Sequence, residues 1–216
     1  MESKLNKSNN IEEDFVFSTY EKIAHNFSHS RYKVWNRVEN FISDMSSSSK
    51  VMEVGCGNGK NMMLRDDIFF EGCDTCHEFV KICIDRELSV IQANNMDLPY
   101  DDNSYDFTLS VAVIHHISTH ENRIKAIQEL IRITKPGGKI FIEVWAFEQG
   151  PLSKMNLTQQ DNLIPFKDKI TRENLGDRFY HFFKENELQD IVNQYNIKII
   201  DSFWEKGNWG IIIQKL

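Results

Sequence analysis

Cysteine, proline and glycine are all scarce in these 216 residues, at four, four and ten. Four cysteines between Cys56 and Cys83 cannot staple a chain of this length, so no disulfide framework is expected and a reducing compartment suits it. So little proline and glycine excludes collagen-like and linker-like chains. No apolar run approaches the roughly 20 residues needed to span a bilayer, and Met1 to Asn10 is too polar for a signal peptide. The expectation is a soluble protein of the cytoplasm or nucleus with no membrane contact. Positive charge is also short: 25 Lys and Arg face 32 Asp and Glu, for a net charge of -7. That balance excludes nonspecific nucleic-acid binding through the whole surface, but leaves room for a local basic patch. What is present is material for an ordinary core, with 41% apolar residues and 15 phenylalanines.

The serine run Ser46 to Ser49 reads as a linker between two patterns. Before it, Tyr20, Ile23, Ala24 and Phe27, then Val34, Val38, Phe41 and Ile42, recur at helical spacing. Residues 1–46 are therefore read as an N-terminal helical cover, and 50–216 as the main part of one compact domain. After the serines, strands are expected at Val51–Val54, Ile68–Cys73, Ser89–Gln92, Phe107–Ile114 and Lys139–Trp145. Helices are expected at Asn58–Arg65, Cys76–Arg86, His120–Ile133 and Glu185–Tyr195. Such alternation implies a parallel α/β sheet with helices on both faces. Phe147–Asp177 lacks regular periodicity and reads as an irregular excursion. Ile197–Trp204 and Trp209–Ile213, joined by Glu205-Lys206-Gly207-Asn208, read as a closing antiparallel hairpin.

The sharpest local feature is Val51-Met52-Glu53-Val54-Gly55-Cys56-Gly57-Asn58-Gly59-Lys60. An apolar strand runs into three glycines and an expected helix, an arrangement that turns bare backbone toward a ligand. The third glycine comes one residue too early for the dinucleotide fingerprint, and no phosphate-cradling G-x-x-x-x-G-K-[ST] is present. A nucleotide-like ligand without a pyrophosphate fits better, because Glu53 repels a pyrophosphate yet suits an amino group. Asp74, nineteen residues after Gly55, falls where an acid accepts from ribose hydroxyls. Cys73-x-x-Cys76 lacks a second pair at zinc-site spacing, so no metal is assigned.

With Asn94-Asn95-Met96-Asp97-Leu98-Pro99-Tyr100 and Ser104-Tyr105-Asp106-Phe107 added, residues 50 to 145 resemble the class I S-adenosylmethionine-dependent methyltransferases. That resemblance implies a Rossmann-like, mostly parallel seven-stranded sheet and S-adenosyl-L-methionine as cofactor. It places the methionine part of the cofactor at Glu53, Gly55, Gly57, Asn58 and Gly59, and the ribose at Asp74 and Thr75. Asn94, facing the adenine amino group, together with Asn95, Met96 and Val111, completes the implied set. Many members carry Asp where this chain has Asn94.

A narrower set of stretches is similar to the eukaryotic tRNA wobble-uridine carboxymethyl methyltransferases. They are Phe27-Ser28-His29-Ser30-Arg31-Tyr32-Lys33-Val34-Trp35, Ala112-Val113-Ile114-His115-His116-Ile117-Ser118, Val144-Trp145-Ala146-Phe147-Glu148-Gln149, Leu163-Ile164-Pro165-Phe166, and Arg178-Phe179-Tyr180-His181-Phe182-Phe183-Lys184. Phe147 and Phe166 depart from the Leu and Trp common in relatives, and the loop after Gly150 is short. This likeness implies methyl transfer to the carboxylate of a 5-carboxymethyluridine in the tRNA anticodon loop. It makes Arg31, His115, His116 and His181 the candidate catalytic residues, with Arg178 beside His181 closing over the RNA. An extended backbone would keep His115 and His116 from pointing the same way. Ile164–Lys184 holds five cations and three acids and is the expected tRNA contact. The likeness also implies a heterodimer with a small zinc-binding methyltransferase activator, at an edge strand Ser89–Gln92 near Ile68, Phe69, Phe70, Val90 and Ile91. Two other readings stay open: a methyltransferase of quinones, sterols or carboxylic acids, and a cofactor-binding scaffold without catalysis.

Overall fold

The fold is taken from a computed structural model, which describes residues 5, 10–30, 33–151, 153 and 155–216. Five parallel strands carry the sheet: β1 (Lys50–Val54), β2 (Phe69–Asp74), β3 (Ser89–Gln92), β4 (Tyr105–Val111) and β5 (Thr134–Trp145). Two more, β8 (Ile197–Glu205) and β9 (Asn208–Lys215), join antiparallel, giving seven strands in the order β3-β2-β1-β4-β5-β9-β8. The sequence pattern anticipates their ends to within three residues, except that β5 starts at Thr134, five residues before the expected Lys139. Lys206 and Gly207 both take positive φ, which matches the twist of a two-residue hairpin.

Strand alternation sorts the apolar residues onto two faces. Met52, Val54, Ile140, Ile142 and Val144 pack against Ile127 and Leu130 of α4 (His120–Ile133) and Leu188 and Ile191 of α5 (Glu187–Val192). Val51, Leu109 and Phe141 pack on the opposite face against Val38, Phe41 and Ile42 of α2 (Asn36–Ser43). Each such fully buried side chain stabilises the fold by roughly 1.5–3 kcal/mol. Helix α4 begins where the Thr119 hydroxyl accepts from Asn122 N, at 3.2 Å. α1 (Ser18–Ser30) follows a single π-helical turn at Glu13–Phe17, and α3 (His77–Ile84) is shorter than its pattern.

Two expectations are corrected. Asn58–Arg65 is a chain of turns, not a helix: Gly59 N, Met62 N and Leu64 N each donate three residues back. Its polar side chains are spent elsewhere, with Asn58 bonding to Ser28 and Asn61 to Glu53, and these bonds compete with helix. Phe147–Asp177 is not wholly irregular either. It contains β6 (Asp161–Lys167) and the start of β7 (Asn174–His181), which form a separate two-stranded sheet. Thr19 Oγ1 donates to Asp177 O, so this hairpin is fastened to α1.

Candidate active site

A cleft opens at the carboxyl ends of β1, β2 and β4, the place where ligands enter sheets of this winding. Its floor is the glycine loop. Gly55, Gly57 and Gly59 all have positive φ, and a Cβ at Gly55 would lie 2.3 Å from Val113. At Gly57 nothing stands within 4 Å of the Cβ position, which leaves the backbone open to the cleft. Gly59 lies behind the loop, where a Cβ would strike Leu88, and it does not line the cleft.

Glu53 is buried at the end of β1. Asn61 Nδ2 donates to its Oε1 at 2.6 Å, while Oε2 has no partner among the described residues. Burial pushes its carboxyl up to about 7. Asp74 ends β2, and its two oxygens accept from Gly57 N at 2.8 Å and Cys76 N at 2.9 Å. It therefore ties the loop to the start of α3, and burial raises it to about 6. Asn58, Thr75, Asn95, Met96 and Val111 line the same cleft. Asn94 does not: it is exposed, and its Oδ1 accepts from Met96 N at 2.9 Å, closing a local turn. The structure thus does not bring Asn94 together with the other implied cofactor residues.

At the far end the cleft is walled by residues from four elements. His115 and His116 sit on a 3₁₀ turn, Ile114–His116, and not on extended chain, so both reach the cleft with rings 4.5 Å apart. His116 Nδ1 lies 2.7 Å from Phe179 O, a pure acceptor, so the neutral ring carries its proton there. Its Nε2 then accepts from the Tyr20 hydroxyl at 2.9 Å, and both ring nitrogens are committed to the fold. Burial holds His116 down at about 3, against the opposing pull of its bond to Phe179 O. His115 is also held well below its ordinary value, by burial and then by His116 and Arg178. Trp145 N donates to His115 Nδ1 at 3.1 Å, so neutral His115 bears its proton on Nε2, which no described residue accepts.

On β7, Arg178 and Tyr180 face this cleft, whereas the alternate residues Phe179 and His181 face a second, shallow cleft. His181 is thus removed from the site. Its Nδ1 lies 2.6 Å from Asp161 and its Nε2 2.7 Å from Glu187, and these carboxylates raise its basicity against the opposing effect of burial. Arg31 lies outside the described residues. The four cysteines are free and buried, and no group of metal-binding side chains occurs among the described residues. No described helix is long and apolar enough to cross a membrane.

The sheet order, the glycine loop after β1 and the acid ending β2 define a class I S-adenosylmethionine-dependent methyltransferase. The residues present fit that methyl donor: the orphaned oxygen of Glu53 suits an ammonium, and the bare backbone at Gly57 allows close approach. A family profile described as a methyltransferase domain matches residues 52–142. The chain is 33% identical over 224 residues to the tRNA (carboxymethyluridine(34)-5-O)-methyltransferase of Schizosaccharomyces pombe, covering 94% of this chain and 97% of that protein. It is 32% identical to tRNA (carboxymethyluridine(34)-5-O)-methyltransferase alkbh8 of Xenopus tropicalis, covering 95% of this chain but 41% of that longer protein. The chain belongs to the tRNA (carboxymethyluridine(34)-5-O)-methyltransferase family. Among solved structures, a methyltransferase in complex with the Trm112 methyltransferase activator from Haloferax volcanii shares the fold. Its TM-score is 0.66 at 16% identity, over 93% of this chain and 97% of that one.

Proposed function

We propose that the chain methylates the carboxylate of a 5-carboxymethyluridine at the wobble position of tRNA, giving the methyl ester. The observation that carries this reading is the likeness to the fission-yeast relative, which runs nearly end to end in both proteins and far beyond residues 52–142. When bound, S-adenosylmethionine supplies an electrophilic methyl on a sulfonium: the carboxylate oxygen bonds to it, the C–S electron pair stays on sulfur, and no proton changes hands. A carboxylate is ionised at neutral pH, so no general base is needed. This agrees with two histidines held neutral and partly consumed by structural bonds. The task of the protein is to position the oxygen and to exclude water, which the aromatic wall of Tyr20, Trp145 and Tyr180 serves.

In this reading Glu53 receives the amino group of the methyl donor, Asp74 and Thr75 flank the ribose, and Asn95 and Met96 meet the adenine. The exposed cations Lys167, Lys169 and Arg172, around the bend of the β6–β7 hairpin, take the RNA phosphates. RNA affinity then falls steeply as salt rises. The experiment is incubation with tRNA carrying unesterified carboxymethyluridine, followed by nucleoside analysis. Appearance of the methyl ester is expected, and its absence in the presence of the activator overturns the reading.

A small zinc-binding activator is proposed to dock at β3, the four-residue edge of the sheet. Phe69 is 65% exposed and Ile91 44% exposed beside it, while Ile68 and Val90 belong to the core. Strand addition there would satisfy the edge amides and cover both side chains. Co-expression with the activator is expected to raise soluble yield, and Phe69→Ser to abolish that gain.

A further inference from the structure

Arg178 is a buried cation without a counter-ion. Its residue is 4% exposed, its Nε has no hydrogen-bond partner, and no carboxylate lies within ion-pair distance among the described residues. Among the described residues the guanidinium makes one hydrogen bond, a long one, from Nη1 to the Tyr20 hydroxyl at 3.5 Å. Aromatic rings surround the guanidinium, with Phe166 and Tyr180 each 5.2 Å and Tyr20 6.0 Å from its carbon. Cation–π contact offsets only part of the desolvation of such a charge. The acids that line the cleft are placed elsewhere: Glu12 accepts from Ser118 N and Oγ at 2.8 Å and forms no ion pair with Arg178, and Glu53 and Asp74 lie at the glycine-loop end, while His115 and His116 are neutral. A fixed charge kept dry and unpaired at the substrate end of a cleft is poised for an anion brought in by the ligand.

Resting on the wobble-uridine reading, we propose that Arg178, assisted by the proton on His115 Nε2, binds the carboxylate of the substrate and selects the acid over its neutral derivatives. Arginine matches a carboxylate in a forked geometry, and it remains charged across the working pH range. The hydrogen-bonded run from Arg178 through Tyr20 and His116 to Phe179 O holds the cage in place without consuming the guanidinium. Transfer converts the anion to a neutral ester and returns Arg178 to its unpaired state. The site therefore binds its product less tightly than its substrate, and discrimination and release come from the same charge.

The experiment measures binding of three anticodon stem–loops to the full chain with S-adenosylhomocysteine present, so that no turnover occurs. They carry at the wobble uridine a 5-carboxymethyl group, its methyl ester, or the neutral amide. The wild-type chain is expected to bind the acid at least tenfold more tightly than either neutral form. Arg178→Met should erase that ratio while leaving S-adenosylhomocysteine affinity unchanged, and Arg178→Lys should restore part of it. Equal binding of all three by the wild-type chain overturns the proposal without recourse to any variant. So does a ratio kept by Arg178→Met, or a variant that loses S-adenosylhomocysteine affinity instead, which would put the donor's own carboxylate on Arg178. Nucleoside analysis of the acid-bearing stem–loop with the methyl donor separates the two failures: an ester formed without discrimination sinks this inference alone, and no ester sinks the reading beneath it.

Discussion

The two ends of the one cleft are built on opposite electrostatic plans. At the glycine-loop end two carboxyl groups, Glu53 and Asp74, are raised by burial, and in the proposed reading they receive a ligand with positive charge and hydroxyls. At the other end an arginine stands among rings and two neutral histidines. The loop end is organised by short backbone bonds, the far end by side-chain packing between elements distant in sequence. In the proposed reading one sheet terminus holds a cationic donor and an anionic acceptor a short distance apart, because each end supplies the charge that its own ligand lacks.

The strongest way to break this contrast is Asp74→Asn. The amide cannot supply two charged acceptors to Gly57 N and Cys76 N, so cofactor affinity should fall by about 1–3 kcal/mol, or roughly 5- to 150-fold. Calorimetry with S-adenosylhomocysteine decides it, and unchanged affinity removes Asp74 from the site.

Glu53→Gln sharpens the comparison through pH. An acid whose native value, about 7, exceeds its free value of 4.5 holds more protons folded than unfolded. Its ionisation therefore costs stability as pH rises from 4.5 to 7, in all about 3 kcal/mol. The ligand-free Gln variant should gain stability on the wild-type chain across that window and run parallel above it. Denaturant titrations at several pH values test this, and a difference flat in pH would sink it.

His181→Gln should cost about 1–2 kcal/mol of stability by breaking the link from β7 to Asp161 and Glu187, yet leave cofactor affinity alone. Because His181 is more basic when folded than free, its share of stability is whole below pH 6.5 and is lost as pH rises through its raised value. A loss of methyl transfer beyond what the lost stability explains would return it to the catalytic set. The smallest effect belongs to Asn94→Ala, whose side chain serves only its own turn: a change under threefold in cofactor affinity is expected.

The sheet was legible because each strand carries its own apolar run and punctuation, from Val51–Val54 to the Lys206-Gly207 turn. The loop and its partner acid were legible for the same reason, being strand-end features at fixed spacing. Asn58–Arg65 misled because its bonding partners, Ser28 and Glu53, are set by tertiary contacts that no local propensity encodes. The β6–β7 hairpin was hidden by Pro165 and a bulge at Phe166/Lys167, which break the alternation that marks a strand. Within Arg178-Phe179-Tyr180-His181 a period of two was available. Read as a strand, it would have separated Arg178 from His181 and pointed to the arginine.

Asn58, on the loop, donates to the carbonyl and hydroxyl of Ser28 near the end of α1, the helix whose Tyr20 and Phe27 line the cleft. Roof and floor thus share a joint, and lifting one unpins the other. Order in the roof and order in the floor are thereby coupled, so that local opening of either wall of the cleft costs the bonds that hold the other.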